Sequence, residues 1–421
     1  LEKLVQETEK EHEDILEQAD ETDAMFGELY SWYLRNPEYR SRVQKLVQSA
    51  FAGKPEDIIS QSVAKALYGE VSPYSATRLE RFAACAFAHF LQYGMKLTER
   101  VEYEFKPMDM GNVMHEALES FAEEVRKRGM KWTELTEQER NEIADRCLDN
   151  IVADYGNTVL KSSARNEYMI ERTRRILRRT VWALQKQLEQ GEFQPEGFEV
   201  TFGGGRIDRV DIMEDQNKVY VKVIDYKTGN TSFDLVYLYH GLQLQLMIYL
   251  DGALRVEQKK YPDKEIIPAG VFYYNIKDPM IQEKIDADVE AVSAGLMKEL
   301  KMNGLVQADP ELVYRMDSSL GSIPVAFNKD GSFRKNSSVA DRTQFAVLGR
   351  YVRTKIEKIR SSILEGDAEV SPYELGKKNA CTYCPYMTVC GFDRRLSGYE
   401  FRRLKNFSDE ELWKAFDREA E

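Results

Sequence analysis

The chain has 421 residues, 43% hydrophobic and 31% charged, with 25 glycines and 12 prolines, which excludes collagen-like and disordered chains and predicts two to four folded units. Lys and Arg number 59 against 71 Asp and Glu, a formal charge of −12. This excludes a uniformly basic nucleic-acid binder but leaves room for local basic grooves, because screening confines charge effects to about 8–10 Å.

No run approaches the roughly 18 uninterrupted apolar residues of a membrane span, and the charged opening LEKLVQETEK lacks the apolar stretch of a secretory leader. A cytoplasmic location is the expectation. The chain begins with Leu rather than Met, so a piece of a longer protein is expected. Residues 1–74 read as a helical segment: Leu4, Ile15, Leu16, Met25, Leu29 and Leu34 fall near helical spacing in and around the acidic run EKEHEDILEQADETD. The chain turns at Ser72-Pro73-Tyr74-Ser75, and Thr77-Arg78-Leu79-Glu80 has the form of a capping box that opens a helix carrying Cys85. From Gly111 to about Lys186 the pattern is again helical. There Arg172, Arg175 and Arg179 share one face and Arg174 and Arg178 the next. The first three suit either a phosphate backbone or a plain solvated face.

The period then changes from helical to alternating. Val200 to Phe202, Arg206 to Ile212 and Val219 to Asp225 read as strands. The intervening Gly203-Gly204-Gly205 is either a tight connection or a join across omitted residues. Residues 234–253 read as a helix, Ala269 to Ile276 as a buried strand, 280–302 as helical, 303–338 as a polar, loop-rich insert and about 340–365 as a helix. This order predicts an α/β fold with a mixed sheet flanked by helices.

Chemistry concentrates in Gly205-Arg206-Ile207-Asp208-Arg209-Val210-Asp211 and Val223-Ile224-Asp225-Tyr226-Lys227. Alternate residues of a strand share a face, so Asp225 and Lys227 point the same way, and a neighbouring strand can present a second carboxylate. Two carboxylates on rigid strands form a hard-oxygen site for Mg²⁺ or Mn²⁺, and a nearby ammonium stabilises charge in phosphodiester hydrolysis. The plain alternative is a surface ion pair. Asp208 and Asp211 compete as the second carboxylate, and alternation allows only one of them to face the metal. His115, early in a helix, is a further metal ligand or a structural histidine. Gln245 and Tyr249, at i and i+4, share a helix face from which they can orient the lysine or the substrate.

Cys381, Cys384 and Cys390 crowd into ten residues, which signals metal in a protein without a disulfide scaffold. Cys85, Cys147 and His89 compete for the fourth position, Cys147 reading most simply as a buried thiol, and zinc and a four-iron cluster both accept four thiolates.

SATRLERFAACAFAHFLQYGMKL, GNVMH, GRIDRVD, VIDYKTG, GLQLQLMIYLD and CTYCPYMTVCGFD, in this order over about 75–395, resemble the nuclease domain of AddB-type helicase–nuclease proteins. These are RecB-type nucleases with an iron–sulfur staple. The resemblance implies a restriction-endonuclease-like (PD-(D/E)xK) core over 75–395, closed by the staple, preceded at 1–74 by the tail of a helicase-like region and followed by a helical tail at 396–421. It implies His115, Asp208 and Asp225 as Mg²⁺ ligands with the Tyr226 carbonyl helping, and its spacing from Gly205 selects Asp208 over Asp211. It also implies Lys227 as the catalytic lysine, Gln245 and Tyr249 as its support, and Cys85, Cys381, Cys384 and Cys390 as ligands of one [4Fe-4S] cluster. Ala86 departs from the pattern, which usually has proline after the first cysteine. The implied activity is cleavage of the 5′-ended unwound DNA strand during recombinational repair of double-strand breaks, beside an AddA-like partner that unwinds the duplex. The chain has no G-x4-G-K-[ST] string, so ATP binding is expected of a longer parent. The competing expectations are a stand-alone exonuclease of the same superfamily and a non-catalytic, metal-stapled DNA-binding scaffold.

Overall fold

The computed structural model describes residues 21–50, 58–69, 75–98, 107–154, 163–203, 205–281, 288–396 and 398–420. The expected apolar positions Leu4, Ile15 and Leu16, and Ser72, Pro73 and Tyr74 of the expected turn, lie outside them. The first helices are α1 (Glu21–Arg35), α2 (Pro37–Ala50), α3 (Gln61–Tyr68) and α4 (Ala76–Ala84). α4 begins two residues earlier than the capping box predicts: Ser75 is the N-cap, its hydroxyl accepting from the Arg78 amide at 3.4 Å, and this leaves Glu80 for another task.

Three long helices follow, α5 (Pro107–Lys127), α6 (Glu137–Asp154) and α7 (Ala164–Glu189), and then the strands β1 (Gln194–Phe202), β2 (Gly205–Glu214) and β3 (Lys218–Lys227). The β1–β2 hairpin closes with Phe202 paired to Gly205. The helix expected over 234–253 is two helices, α8 (Leu235–Tyr239) and α9 (Gln245–Lys260). Gly241 separates them at φ +78°, where a Cβ would press on Ala83 at 3.2 Å. β4 (Glu265–Asn275) lies parallel to β3, so α8 and α9 form the crossover that parallel pairing requires.

Past β4 the helix expected over 280–302 is, among the described residues, the shorter α10 (Val289–Glu299). The supposed loop insert contributes β5 (Asn303–Gln307) to the sheet and a helix, α11 (Pro310–Met316), before the two-residue β6 (Val339–Ala340) and α12 (Arg342–Glu365). α12 opens with a capping box between Asp341 and Gln344 and ends at Gly366, whose φ of +94° and 2.0 Å approach of a Cβ to the Ile59 carbonyl admit only glycine. α13 (Asp409–Ala420) packs on α12.

The sheet runs β1-β2-β3-β4-β5-β6 with mixed directions. One face, with Ile224 and Tyr226 of β3, packs on α5, α6 and α7 through Phe121, Leu148 and Leu177. The other, with Val219, Val221 and Val223, packs on α4, α9 and α12 through Leu79, Leu250 and Leu348. Burial on both faces explains the near-continuous apolar run of β3. It also fixes which side of the sheet each acidic residue joins. Among the described residues no helix is long and apolar enough to cross a membrane.

Candidate active site

β2 and β3 are antiparallel with Arg209 opposite Ile224, and one further step of that register sets Asp208 across from Asp225 on the α9 face. Asp208 Oδ2 accepts the Tyr226 amide at 2.7 Å. Asp225 is almost completely buried. Two residues on, Lys227 Nζ lies 2.5 Å from Asp225 Oδ2 and donates to Gln245 Oε1 at 2.8 Å, while Gln245 Nε2 donates to the Tyr249 hydroxyl at 2.9 Å. The Tyr273 ring lies beneath the ammonium, 5.4 Å away.

His115 reaches the same end of β3 from α5. Its Nδ1 is 3.4 Å from Asp208 Oδ2, and its Nε2 donates to the Tyr226 carbonyl at 3.1 Å. His115, Asp208, Asp225, Tyr226, Lys227, Gln245 and Tyr249 therefore converge. Asp211 does not join them. It lies on the opposite face, where Arg209 Nε and Nη2 donate to it at 2.6 and 2.9 Å and Lys222 Nζ approaches at 3.0 Å.

Two acidic residues belong to the site without having been expected there. Glu199 Oε1 lies 3.7 Å from His115 Nδ1, and its other oxygen meets Arg206. His115, Glu199 and Asp208 offer ligand atoms within 4.8 Å of one another. Glu199 holds φ +49° inside β1, a conformation that costs a non-glycine residue free energy and concentrates at functional sites. Glu80, on α4, accepts the amides of Leu244 at 2.7 Å and Gln245 at 2.9 Å, and so caps α9 at the residue that receives Lys227.

Electrostatics mark the site as short of positive charge. Burial, then the Asp208 charge, raise Asp225 to about 7, with Lys227 opposing. Burial likewise lifts Glu80 to about 7 against its two amide donors. For His115 burial disfavours the imidazolium, but hydrogen bonds to Asp208 and Glu199 outweigh it and lift the ring to about 10. A buried carboxylate pair that repels, with a third carboxylate and a carbonyl beside it, fits a hard divalent cation, which would neutralise that repulsion.

The thiols gather elsewhere. Cys85, Cys381, Cys384 and Cys390 line one small cavity with Phe87, Tyr386 and Phe392. Cys147 is a buried thiol on α6, pushed up to about 11 by burial. His89 is buried and accepts from Arg78 Nε at 3.1 Å, its ring held down to about 3 by burial and the Arg78 charge. Neither joins the other four.

The PD-(D/E)XK nuclease superfamily model matches residues 73–391. Proteins named as subunits of an ATP-dependent helicase/deoxyribonuclease are similar along 95% of the chain: 41% identical in Lachnoclostridium phytofermentans, 34% in Thermoanaerobacter sp. and 33% in Clostridium acetobutylicum. The chain spans 36–37% of the length of these relatives. With a mixed sheet carrying Asp208, Asp225 and Lys227 at one end and a family match across three quarters of its length, the chain belongs to the PD-(D/E)XK nuclease superfamily.

Proposed function

We propose that the chain is the nuclease part of a helicase–deoxyribonuclease, hydrolysing phosphodiester bonds of unwound single-stranded DNA with Mg²⁺ or Mn²⁺. The observation that carries this is the register that sets Asp208 opposite Asp225 with the Lys227 ammonium 2.5 Å from the Asp225 carboxylate. His115, Glu199, Asp208, Asp225 and the Tyr226 carbonyl would hold the cation. When bound, it supplies Lewis-acid neutralisation of phosphate charge and acidifies water. Lys227, aimed by Gln245 and Tyr249, places a fixed positive charge where negative charge grows on the phosphate. The relatives' names support a helicase-associated setting. Together with the resemblance of the sequence motifs, that setting supports an AddA-like partner, the 5′-ended strand as substrate and recombinational repair as the context.

The four thiols would hold a [4Fe-4S] cluster. They line one small cavity together; zinc and a four-iron cluster both accept four thiolates, and the resemblance of CTYCPYMTVCGFD to iron–sulfur-stapled nucleases favours the cluster.

The test is cleavage of end-labelled single strands with Mg²⁺ or with EDTA. Wild type should cut only with the cation, while Asp225→Ala and Lys227→Ala should bind without cutting. Cleavage retained by pure Asp225→Ala protein refutes the assignment. Binding without product at saturating Mg²⁺ in wild type supports the scaffold reading instead.

A further inference from the structure

A groove of about 750 Å³ runs along α7 where α10 faces it. Its floor carries Tyr168, Arg172, Arg175, Arg179 and Trp182. Their spacing of four, three, four and three residues makes one continuous stripe, about 21 Å long at 1.5 Å per residue. The neighbouring arginines are engaged with α6: Arg174 donates to Asp149 at 2.7 Å and Arg178 to Asp145. Arg175 meets Asp278 at 2.6 Å. Among the described residues no carboxylate pairs with Arg172 or Arg179. Arg172 is exposed, and Arg179 sits 5.4 Å from the centre of the Trp182 ring. Tyr168 is 63% exposed.

The stripe adjoins the catalytic end of the sheet. Asp278 follows Asn275 by three residues; Asn275 pairs with Lys227, and the Ile276 amide donates to the Lys227 carbonyl at 2.7 Å. The groove's arginine row is therefore tied at Arg175 to the chain leaving β4 beside Lys227.

We propose that this groove is a single-stranded DNA track, in which Arg172 and Arg179 contact phosphates and Trp182 and Tyr168 offer faces to bases. Guanidinium groups interleaved with aromatic faces are the chemistry that grips single strands without reading sequence. Two guanidiniums that no carboxylate neutralises among the described residues, at a nuclease's sheet edge, match a polyanion passing that edge. The proposal rests on the nuclease reading for its substrate but not for its geometry.

The test is anisotropy titration of a fluorescein-labelled oligo-dT in EDTA across a salt series, followed by Mg²⁺-dependent cleavage kinetics. Arg172→Gln/Arg179→Gln should lower the slope of log K against log salt by about 1.4, from about 0.7 per lost phosphate contact on single strands. KM should rise several-fold with kcat at saturating DNA unchanged. Arg178→Gln, in an α6-paired arginine, should leave the slope unchanged. An unchanged slope and KM in a double variant with the wild-type melting temperature overturns the proposal, even while cleavage continues and the nuclease reading stands. So does loss of binding to an acidic peptide, such as poly-glutamate, with DNA binding intact. If wild type binds but never cuts, the nuclease reading fails, and the slope change still decides the groove.

Discussion

Asp211 offers the sharpest separation of structure from chemistry, because it is three residues from Asp208 and of identical type. Its side chain is wholly buried, as are nearly all of Arg209 and Lys222, and its two oxygens meet the cations at 2.6, 2.9 and 3.0 Å. Burial alone would raise this carboxyl, but Arg209 and then Lys222 hold it below the ordinary value. Asp211→Ala leaves two buried cations without their anion. Breaking a buried pair by removing one partner costs about 3–5 kcal/mol, and two stranded cations put this variant at the upper end, about 5 kcal/mol. With an unfolding entropy of about 2.1 cal/mol/K per residue over the chain, the thermal midpoint should fall by about 6 °C. Asp208→Ala instead removes one of two facing carboxylates and should leave the midpoint near wild type while abolishing cleavage. Circular dichroism melts and urea midpoints, run beside the cleavage assay well below the melt, distinguish the two. The pH sign follows: a depressed folded-state pKa stabilises the fold above the unfolded value near 3.9, and that stability drains away as pH falls through the folded value. If Asp211→Ala melts like wild type and yet stops cutting, the register argument is wrong and Asp211 belongs to the metal site.

Glu80, at about 7 folded against 4.5 ordinarily, should make stability fall as pH rises from about 4.5 to about 7, by at most about 3 kcal/mol; urea midpoints of Glu80→Gln should flatten that slope, and a slope unchanged by the substitution refutes the assignment. Glu80→Ala should also lower kcat, because the Leu244 and Gln245 amides lose their acceptor and Gln245 no longer aims Lys227; a Gln variant as inactive as Ala would contradict a capping role. Glu199→Gln should raise the Mg²⁺ needed for half-maximal cleavage by roughly tenfold or more, as ligand and near-ligand losses do, and an unchanged metal titration would remove Glu199 from the site. Cys384→Ser should strip iron from anaerobically purified protein, whereas stoichiometric zinc with negligible iron in wild type would overturn the cluster assignment.

The strands that carry the candidate site were legible because burial on both faces leaves an uninterrupted apolar run, against which Asp225 and Lys227 stand out. Alternation also placed Asp208 and Asp211 on opposite faces, and the structure places them so. Glu199 was hidden by a positive φ that no propensity anticipates, yet the hairpin carried a signal: Glu199 and Asp208 lie nearly equally far from the centre of the triple glycine, and folding the chain there sets them opposite. Glu80 fitted a local pattern, Thr77 to Glu80, that competes with the capping by Ser75 two residues earlier, and its true partner lies 164 residues away. β5 escaped notice because NGLVQ is short and begins with residues that signal turns, so only its pairing with β4 makes it a strand. The α8–α9 break at Gly241 was read as one helix because its flanks are both apolar.

These long-range contacts link the thiols to Lys227 within one fold. α4 ends at Cys85, which lies beside a cavity lined also by Cys381, Cys384 and Cys390. Five residues before Cys85, Glu80 fixes the first amides of α9, and the residue so fixed, Gln245, accepts a hydrogen bond from Lys227. The C-terminal segment also grips the chain that follows α4, through the Glu369 carbonyl on the Phe87 amide at 2.9 Å and the Tyr386 hydroxyl on the Leu97 carbonyl at 3.0 Å. Loops closing hundreds of residues cost only slightly more entropy than short ones, so one local tie between distant segments goes far in holding them together. The thiol end of α4 therefore bears on the pose of the lysine rather than on the reaction, and a site that must hold Lys227 2.5 Å from a carboxylate of pKa about 7 gains more from a rigid α4 than from another reactive group.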